Sequence, residues 1–120
     1  MTVVSIRGAI TVEENSLECI LQNTKDLLIE MESKNNIKRE NVVSIVFTAT
    51  ADLDKVYPAR AAREIGYVHC GLMCVNEMVV EGSLDKCIRI MILYNSSGSQ
   101  EDIKHVYLKK AISLRPDLIN

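Results

Sequence analysis

Tryptophan is absent from this 120-residue sequence, phenylalanine occurs once, and aromatic residues make up only 4%. With a formal net charge of -2, the chain lacks the basic face and stacking rings that nucleic-acid binding requires. The same balance disfavours an anionic membrane surface. No apolar run approaches the roughly 18–20 residues of a membrane span. The opening stretch from Met1 to Arg7 has no basic region followed by an apolar one, so no secretory signal is expected. A cytoplasmic protein is the expectation. Asn95-Ser96-Ser97 fits the glycan acceptor pattern but, without secretion, reads as turn chemistry. There is no internal repeat and no low-complexity tract.

The 4 cysteines, Cys19, Cys70, Cys74 and Cys87, form no Cys-x-x-Cys pair, and their neighbours are apolar. Reduced, buried thiols are expected rather than disulfides. Structural zinc needs closely spaced ligand pairs, and only His69 stands beside Cys70, so no metal site is expected. Neither His69 nor His105 has an evident ligand set. A Gly-rich phosphate loop is missing, as is a convincing Ser/His/Asp order. Any chemistry is therefore expected from positioning and charge, without a cofactor.

What is present is an ordinary globular balance, 48% apolar and 25% charged. This excludes global disorder. The length suits a single domain spanning residues 1–120, since one core typically serves about 100–150 residues.

Residues 3–11 are short and rich in β-branched side chains, which predicts a strand. Asn15-Ser16-Leu17-Glu18 offers a helix cap, followed by Leu17, Ile20, Leu21, Thr24, Leu27, Leu28 and Met31 at helical spacing. The polar run from Ser33 to Asn36 should end this helix. Val42 to Thr48 reads as a second strand, apolar on both faces and so central. Pro58 and Gly66 bracket a short helix over 59–65. Tyr67 to Val75 and Cys87 to Tyr94 read as further strands, the latter ending at the Asn95–Ser99 loop. From Val106 to Leu114 the apolar pattern suits a strand or a helix equally. The sum is a mixed α/β sandwich of about five strands and two principal helices.

Two arginines sit badly in a plain core. Arg7 lies between Ile6 and Gly8-Ala9-Ile10, and Arg89 lies within Cys87-Ile88-Arg89-Ile90-Met91-Ile92-Leu93. A guanidinium in such a run is partnered or costly. Each either pairs with a carboxylate, such as Glu13, Glu77 or Glu81, or faces a pocket and holds an anionic ligand by its planar fork. Glu77 reads as an exposed strand-end carboxylate or as a site group. Tyr107 reads as a core-edge ring with a wet hydroxyl, and Lys104, Lys109, Lys110 and Arg115 as a solvated face.

Ile6-Arg7-Gly8-Ala9 with Thr11-Val12-Glu13 resembles the opening of the monofunctional, trimeric bacterial chorismate mutases. Tyr57-Pro58-Ala59-Arg60-Ala61-Ala62-Arg63-Glu64 is similar to their short-helix motif. The resemblance continues through Cys74 with Glu77-Met78, Leu84 to Arg89, His105 to Leu108, and Leu114-Arg115-Pro116-Asp117-Leu118. It runs nearly end to end. It implies an α+β fold with a mixed sheet inside and helices outside, closed into a trimeric pseudo-α/β-barrel with active sites between subunits. It favours a strand over 106–114.

The implied reaction is the pericyclic rearrangement of chorismate to prephenate, on the way to phenylalanine and tyrosine. By that resemblance Arg89 donates to the ether oxygen as it gains negative charge. Arg7 and Tyr107 grip the side-chain carboxylate and hold the compact reactive conformer. Glu77 accepts from the ring hydroxyl, with Cys74 beside it. Tyr57, Ala59, Arg60 and Met73 line the cleft from the neighbouring subunit, and Arg63, Leu114 and Arg115 stand near its mouth. The sequence departs from the family at Tyr57, often Phe, at Arg60, often Lys, and at Met73, commonly Thr. The stretch between Glu64 and Cys74 is one residue short. These departures bear on affinity more than on chemistry. Two rivals share the features: a non-catalytic trimeric module binding a small dicarboxylate, and a deaminase-type hydrolase of similar architecture, which has no motif support.

Overall fold

The computed structural model describes residues 1–114. Five strands form one mixed sheet: β1 (Thr2–Thr11), β2 (Val42–Ala49), β3 (Gly71–Asn76), β4 (Cys87–Ser96) and β5 (Val106–Leu108), in the order β3-β2-β4-β1-β5. The long strands β1 and β4 pair antiparallel over their whole length, from Thr2↔Ser96 to Thr11↔Cys87. β2 runs antiparallel to β4 and parallel to β3, while β5 lies parallel to β1 at the other edge. The expected inner position of β2 is observed.

Two α-helices, α1 (Leu17–Asn35) and α2 (Ala59–Ile65), cover one face. Ser16 caps α1 by accepting from the Cys19 amide at 3.1 Å, and Asn36 ends it in the left-handed conformation. Gly66 does the same for α2, at φ 116°. The apolar stripe of α1 meets alternate residues of the sheet: Ile20, Leu27, Leu28 and Met31 pack with Ile6, Ile10, Ile45, Phe47, Ile88 and Ile92, all essentially inaccessible. Gly8 makes this approach possible. A Cβ there would lie 2.6 Å from Met31 Sδ and 3.1 Å from the Val106 carbonyl oxygen.

Two expectations need correction. Residues 67–70 are not strand, and β3 starts only at Gly71. Tyr67 is instead buried in the core, its hydroxyl donating to Glu32 at 2.5 Å with the Arg39 guanidinium 5.3 Å from its ring centre. Side-chain anchoring to α1 overrides the β-propensity of this stretch. The C-terminal strand is also shorter than 106–114. β5 stops at Leu108, Lys109 takes a left-handed φ of 55°, and Lys109–Leu114 form a 3-10 helix. Lys109 holds this turn by donating to Glu13 and, at 2.6 Å, to the Asn23 side-chain oxygen. All four thiols are free, with Cys87 buried and the other three half-buried.

Candidate active site

Among the described residues the second face of the sheet carries no α-helix, only the 3-10 turn Lys109–Leu114 at the Tyr107 end, and strand alternation decides which side chains it presents. Register places Thr48 of β2 opposite Arg89 of β4, Arg89 opposite Ala9 of β1, and Ala9 opposite Tyr107 of β5. These four residues form one transverse row. Glu77, just past β3, joins it: its amide donates to the Ala49 carbonyl at 3.0 Å, and its carboxylate accepts from the Thr48 hydroxyl at 3.2 Å. Arg89 Nε lies 2.7 Å from Glu77 Oε1. The N–H does not point along that line, so this is a close ion contact without an aligned hydrogen bond. The Arg89 side chain retains 35% of its surface and Glu77 17%. Of the two readings for Arg89, a carboxylate partner is thus present and an open side remains. The strand-end carboxylate is not an exposed one.

Small neighbours make the row possible. Ala9 is fully buried between Arg89 and Tyr107. With Cys87, Tyr107 and Ala111 it forms a second apolar cluster, against which Leu84 and Leu114 pack. This cluster seats the Tyr107 ring while its hydroxyl, buried, has no hydrogen-bond partner among the described residues. An unmade bond of this kind costs about 1–3 kcal/mol, and a ligand acceptor would recover it. Arg7 projects from the same face, one pleat along β1, with no salt bridge among the described residues. The start of β4 is clipped in place by Asp52, which accepts from the Lys86 amide at 2.9 Å and from the Thr50 hydroxyl at 2.5 Å.

A second group gathers on the helical side at the same end of the sheet. A cleft of about 980 Å3 is lined by Tyr57, Arg60, Arg63 and Cys74, together with Leu17 and Asn76. Tyr57 is 73% exposed, whereas Ala59 is buried at the start of α2. Arg60 pairs with Glu64 at 3.0 Å. Burial pushes the Cys74 thiol up, opposed in part by the Ala59 backbone and the Arg63 charge. Burial likewise raises Cys87. Both are therefore held as neutral thiols near pH 7.

The structure thus sorts the residues singled out from the sequence into two sets. Arg7, Glu77, Arg89 and Tyr107 share the open face, with Met73 on the same side and Leu114 against the Tyr107 cluster. Tyr57, Arg60, Arg63 and Cys74 line the cleft. Within one chain Cys74 is not beside Glu77: it packs toward the helix-side core, on the other face of β3 from Met73. Arg115 lies outside the described residues. Thr48, Ala9 and Asp52 are participants that sequence reasoning missed. Only the strand register, which pairs Thr48 with Arg89, could have exposed the first.

A mixed sheet with an ion-paired, partly open row on the face away from α1 and α2 defines an α+β domain with a charged sheet face. Comparison with known proteins narrows that class. The model of the family chorismate mutase type I matches residues 3–118. Chorismate mutase AroH of Bacillus subtilis (strain 168) is 46% identical over 119 residues, covering 98% of this chain and 94% of that relative. Chorismate mutase AroH of Thermus thermophilus is 46% identical over 114 residues, 94% of this chain and 93% of the relative. The solved chorismate mutase from Clostridium thermocellum Cth-682 matches with a TM-score of 0.89 at 48% identity, over 91% of this chain and 97% of that one. The chain belongs to the type I chorismate mutase family. Its activity is accordingly that of an isomerase, chorismate mutase.

Proposed function

We propose that the rearrangement of chorismate to prephenate is carried out here by charge and conformer selection alone, at sites shared between copies of the chain. Breaking the ether C–O bond places partial negative charge on its oxygen, and Arg89 is the donor aimed at that charge. Glu77 holds the Arg89 guanidinium and faces the partly positive ring, accepting from the ring hydroxyl. Arg7 and Tyr107 take the side-chain carboxylate and fold the extended substrate into its compact reactive form. Because the step is unimolecular and pericyclic, none of these groups exchanges a proton with the substrate.

The observation that carries this reading is the transverse row itself. Among the described residues, one sheet face sets an acceptor, a cation and a buried hydroxyl with no partner side by side, with Arg7, which makes no salt bridge there, one pleat away. Tyr57, Arg60 and Arg63 are gathered into a cleft at the same end but on the opposite side of the sheet. One chain cannot turn both sets toward a single small ligand. A second copy can. Val3, Met73, Val75 and Met91 lie exposed on the face away from α1 and α2, apolar surface that association would bury. We therefore read the working form as a homotrimer in the cytoplasm, in which the row of one subunit faces the cleft of the next. Among the described residues no helix is long and apolar enough to cross a membrane.

Purified protein mixed with chorismate tests the chemistry directly, through the fall in chorismate ultraviolet absorbance and the appearance of prephenate. Sedimentation equilibrium at micromolar protein tests the assembly. A stable monomer that turned over chorismate at a normal rate would remove the shared site from the account.

A further inference from the structure

The free edge of β1 is closed by side chains before β5 takes over. The Ser5 amide donates to Gln100 Oε1 at 2.9 Å, and the Gln100 side-chain amide donates back to the Ser5 carbonyl at 2.8 Å. Two residues on, the Arg7 amide donates to His105 Nδ1 at 2.9 Å. Backbone pairing then begins with Gly8↔Val106. The His105 ring thus occupies the place of a strand carbonyl. Accepting at Nδ1 puts the proton of the neutral ring on Nε2.

His105 is itself held from behind. The Lys104 amide donates to Asn35 Oδ1 at 2.8 Å, and Asn35 Nδ2 donates to the Lys104 carbonyl at 2.9 Å, which clamps this segment to the end of α1. The chain of contacts runs from α1 through 104–105 to the amide of Arg7. Arg7 is a long side chain, so where its charge sits depends on how firmly its backbone origin is fixed.

The geometry points to His105 as a positioning residue for the rearrangement: it fixes the Arg7 backbone so that the guanidinium meets the substrate carboxylate without further ordering. This rests on the proposed grip of Arg7 on that carboxylate. The carboxylate is present in both ground and transition states, and Tyr107 still holds it in the compact conformer, so loosening Arg7 should weaken binding in both. The effect belongs in KM more than in kcat.

The test is steady-state kinetics with chorismate on the full chain, comparing His105→Leu, His105→Asn, Arg7→Ala and the double variant His105→Leu/Arg7→Ala. His105→Leu should raise KM about tenfold and change kcat by less than about twofold. His105→Asn, whose side-chain oxygen can stand where Nδ1 stands, should restore KM to within about twofold of the parent. In the Arg7→Ala background, replacing His105 by Leu should move KM by less than about twofold, because the path it acts through is gone. Equal effects in both backgrounds would overturn the inference, as would a folded His105→Leu with unchanged KM. Unchanged kinetics for Arg7→Ala alone would instead overturn the grip on the carboxylate, and with it this inference. Should His105→Leu fail to fold, His105→Asn against His105→Gln decides: Gln carries its acceptor farther out, and equal KM values for the two would contradict the placement.

Discussion

Replacing Arg89 by Met keeps most of the side-chain stem and removes the cation placed against the ether oxygen. The structure separates two consequences. For stability, the partner left behind is Glu77, which is only 17% exposed but still accepts from Thr48. Exposed ion pairs are worth about 0–1 kcal/mol, whereas breaking a buried pair costs about 3–5 kcal/mol. With the Arg89 side chain 35% exposed, the loss should lie between these, near 1–2 kcal/mol. For catalysis, removing one preorganised donor to developing charge costs about 10²–10³ in turnover, or roughly 3–4 kcal/mol. A charged donor costs more, since charge-assisted bonds are about twice as strong as neutral ones. The catalytic loss should therefore exceed the folding loss. Thermal melting, sedimentation and chorismate turnover at saturating substrate, measured on one preparation, resolve the two. Adding Glu77→Gln to Arg89→Met should recover stability by removing the stranded charge, and should recover no turnover. Arg89→Lys should recover only part of the rate, as a point charge of different reach. A folded Arg89→Met protein with near-normal turnover would refute the reasoning and favour a binding module that uses the same arginines without transition-state preference.

With no proton moved in the chemical step, kcat should be flat across neutrality, and a bell centred near pH 7 at saturating substrate, with the fold intact, would count against the mechanism. Gly8→Ala should destabilise by about 1–3 kcal/mol, since its methyl must displace Met31, Leu27 or the β5 backbone; urea midpoints at unchanged slope would measure this. The hydrogen bond from Lys109, helped by its charge, holds the Glu13 carboxyl below the usual glutamate range. That contribution is fully present above the unfolded value of about 4.3 and is lost as pH falls through the lower folded value. Glu13→Gln should accordingly flatten the acid limb of stability against pH and leave the neutral region without a pH slope of its own.

The elements with strong local signals were legible from residues alone. Ser16, Asn36 and the Leu27-Leu28-Met31 stripe define α1, and Pro58 and Gly66 bracket α2, because caps and periodicity are local facts. Where distant partners decide, local pattern misleads. Tyr67 belongs to no strand because Glu32 and Arg39, more than 25 residues away in sequence, hold its hydroxyl and ring. β5 stops at Leu108 because Lys109 turns back to Glu13 and Asn23, which no reading of 106–114 could reveal. The same divide runs through the site. Arg7 and Arg89 stood out as charges inside apolar runs, and their shared face follows from strand alternation once the β1–β4 register is known. Thr48, Ala9 and His105 carry no unusual signal of their own, and matter only through what register sets beside them. Tyr57, Arg60, Arg63 and Cys74 were marked by family resemblance, and their cleft on the far side of the sheet is a fact of tertiary structure.

Whether one site is built from two subunits is best measured with mixed assemblies of two impaired chains. The first carries Arg89→Met, which disables the row and leaves the cleft. The second carries Arg60→Glu and Arg63→Glu, which reverses two exposed charges at the cleft and leaves the row. Each alone should form inactive trimers. Unfolded together in equal amounts and refolded, they should regain about one quarter of the parent activity, because in a closed ring each contact joins an intact row to an intact cleft with probability one half times one half. A mixture that folds to trimers yet stays at the sum of its two impaired parents would contradict the account, placing row and cleft in separate sites.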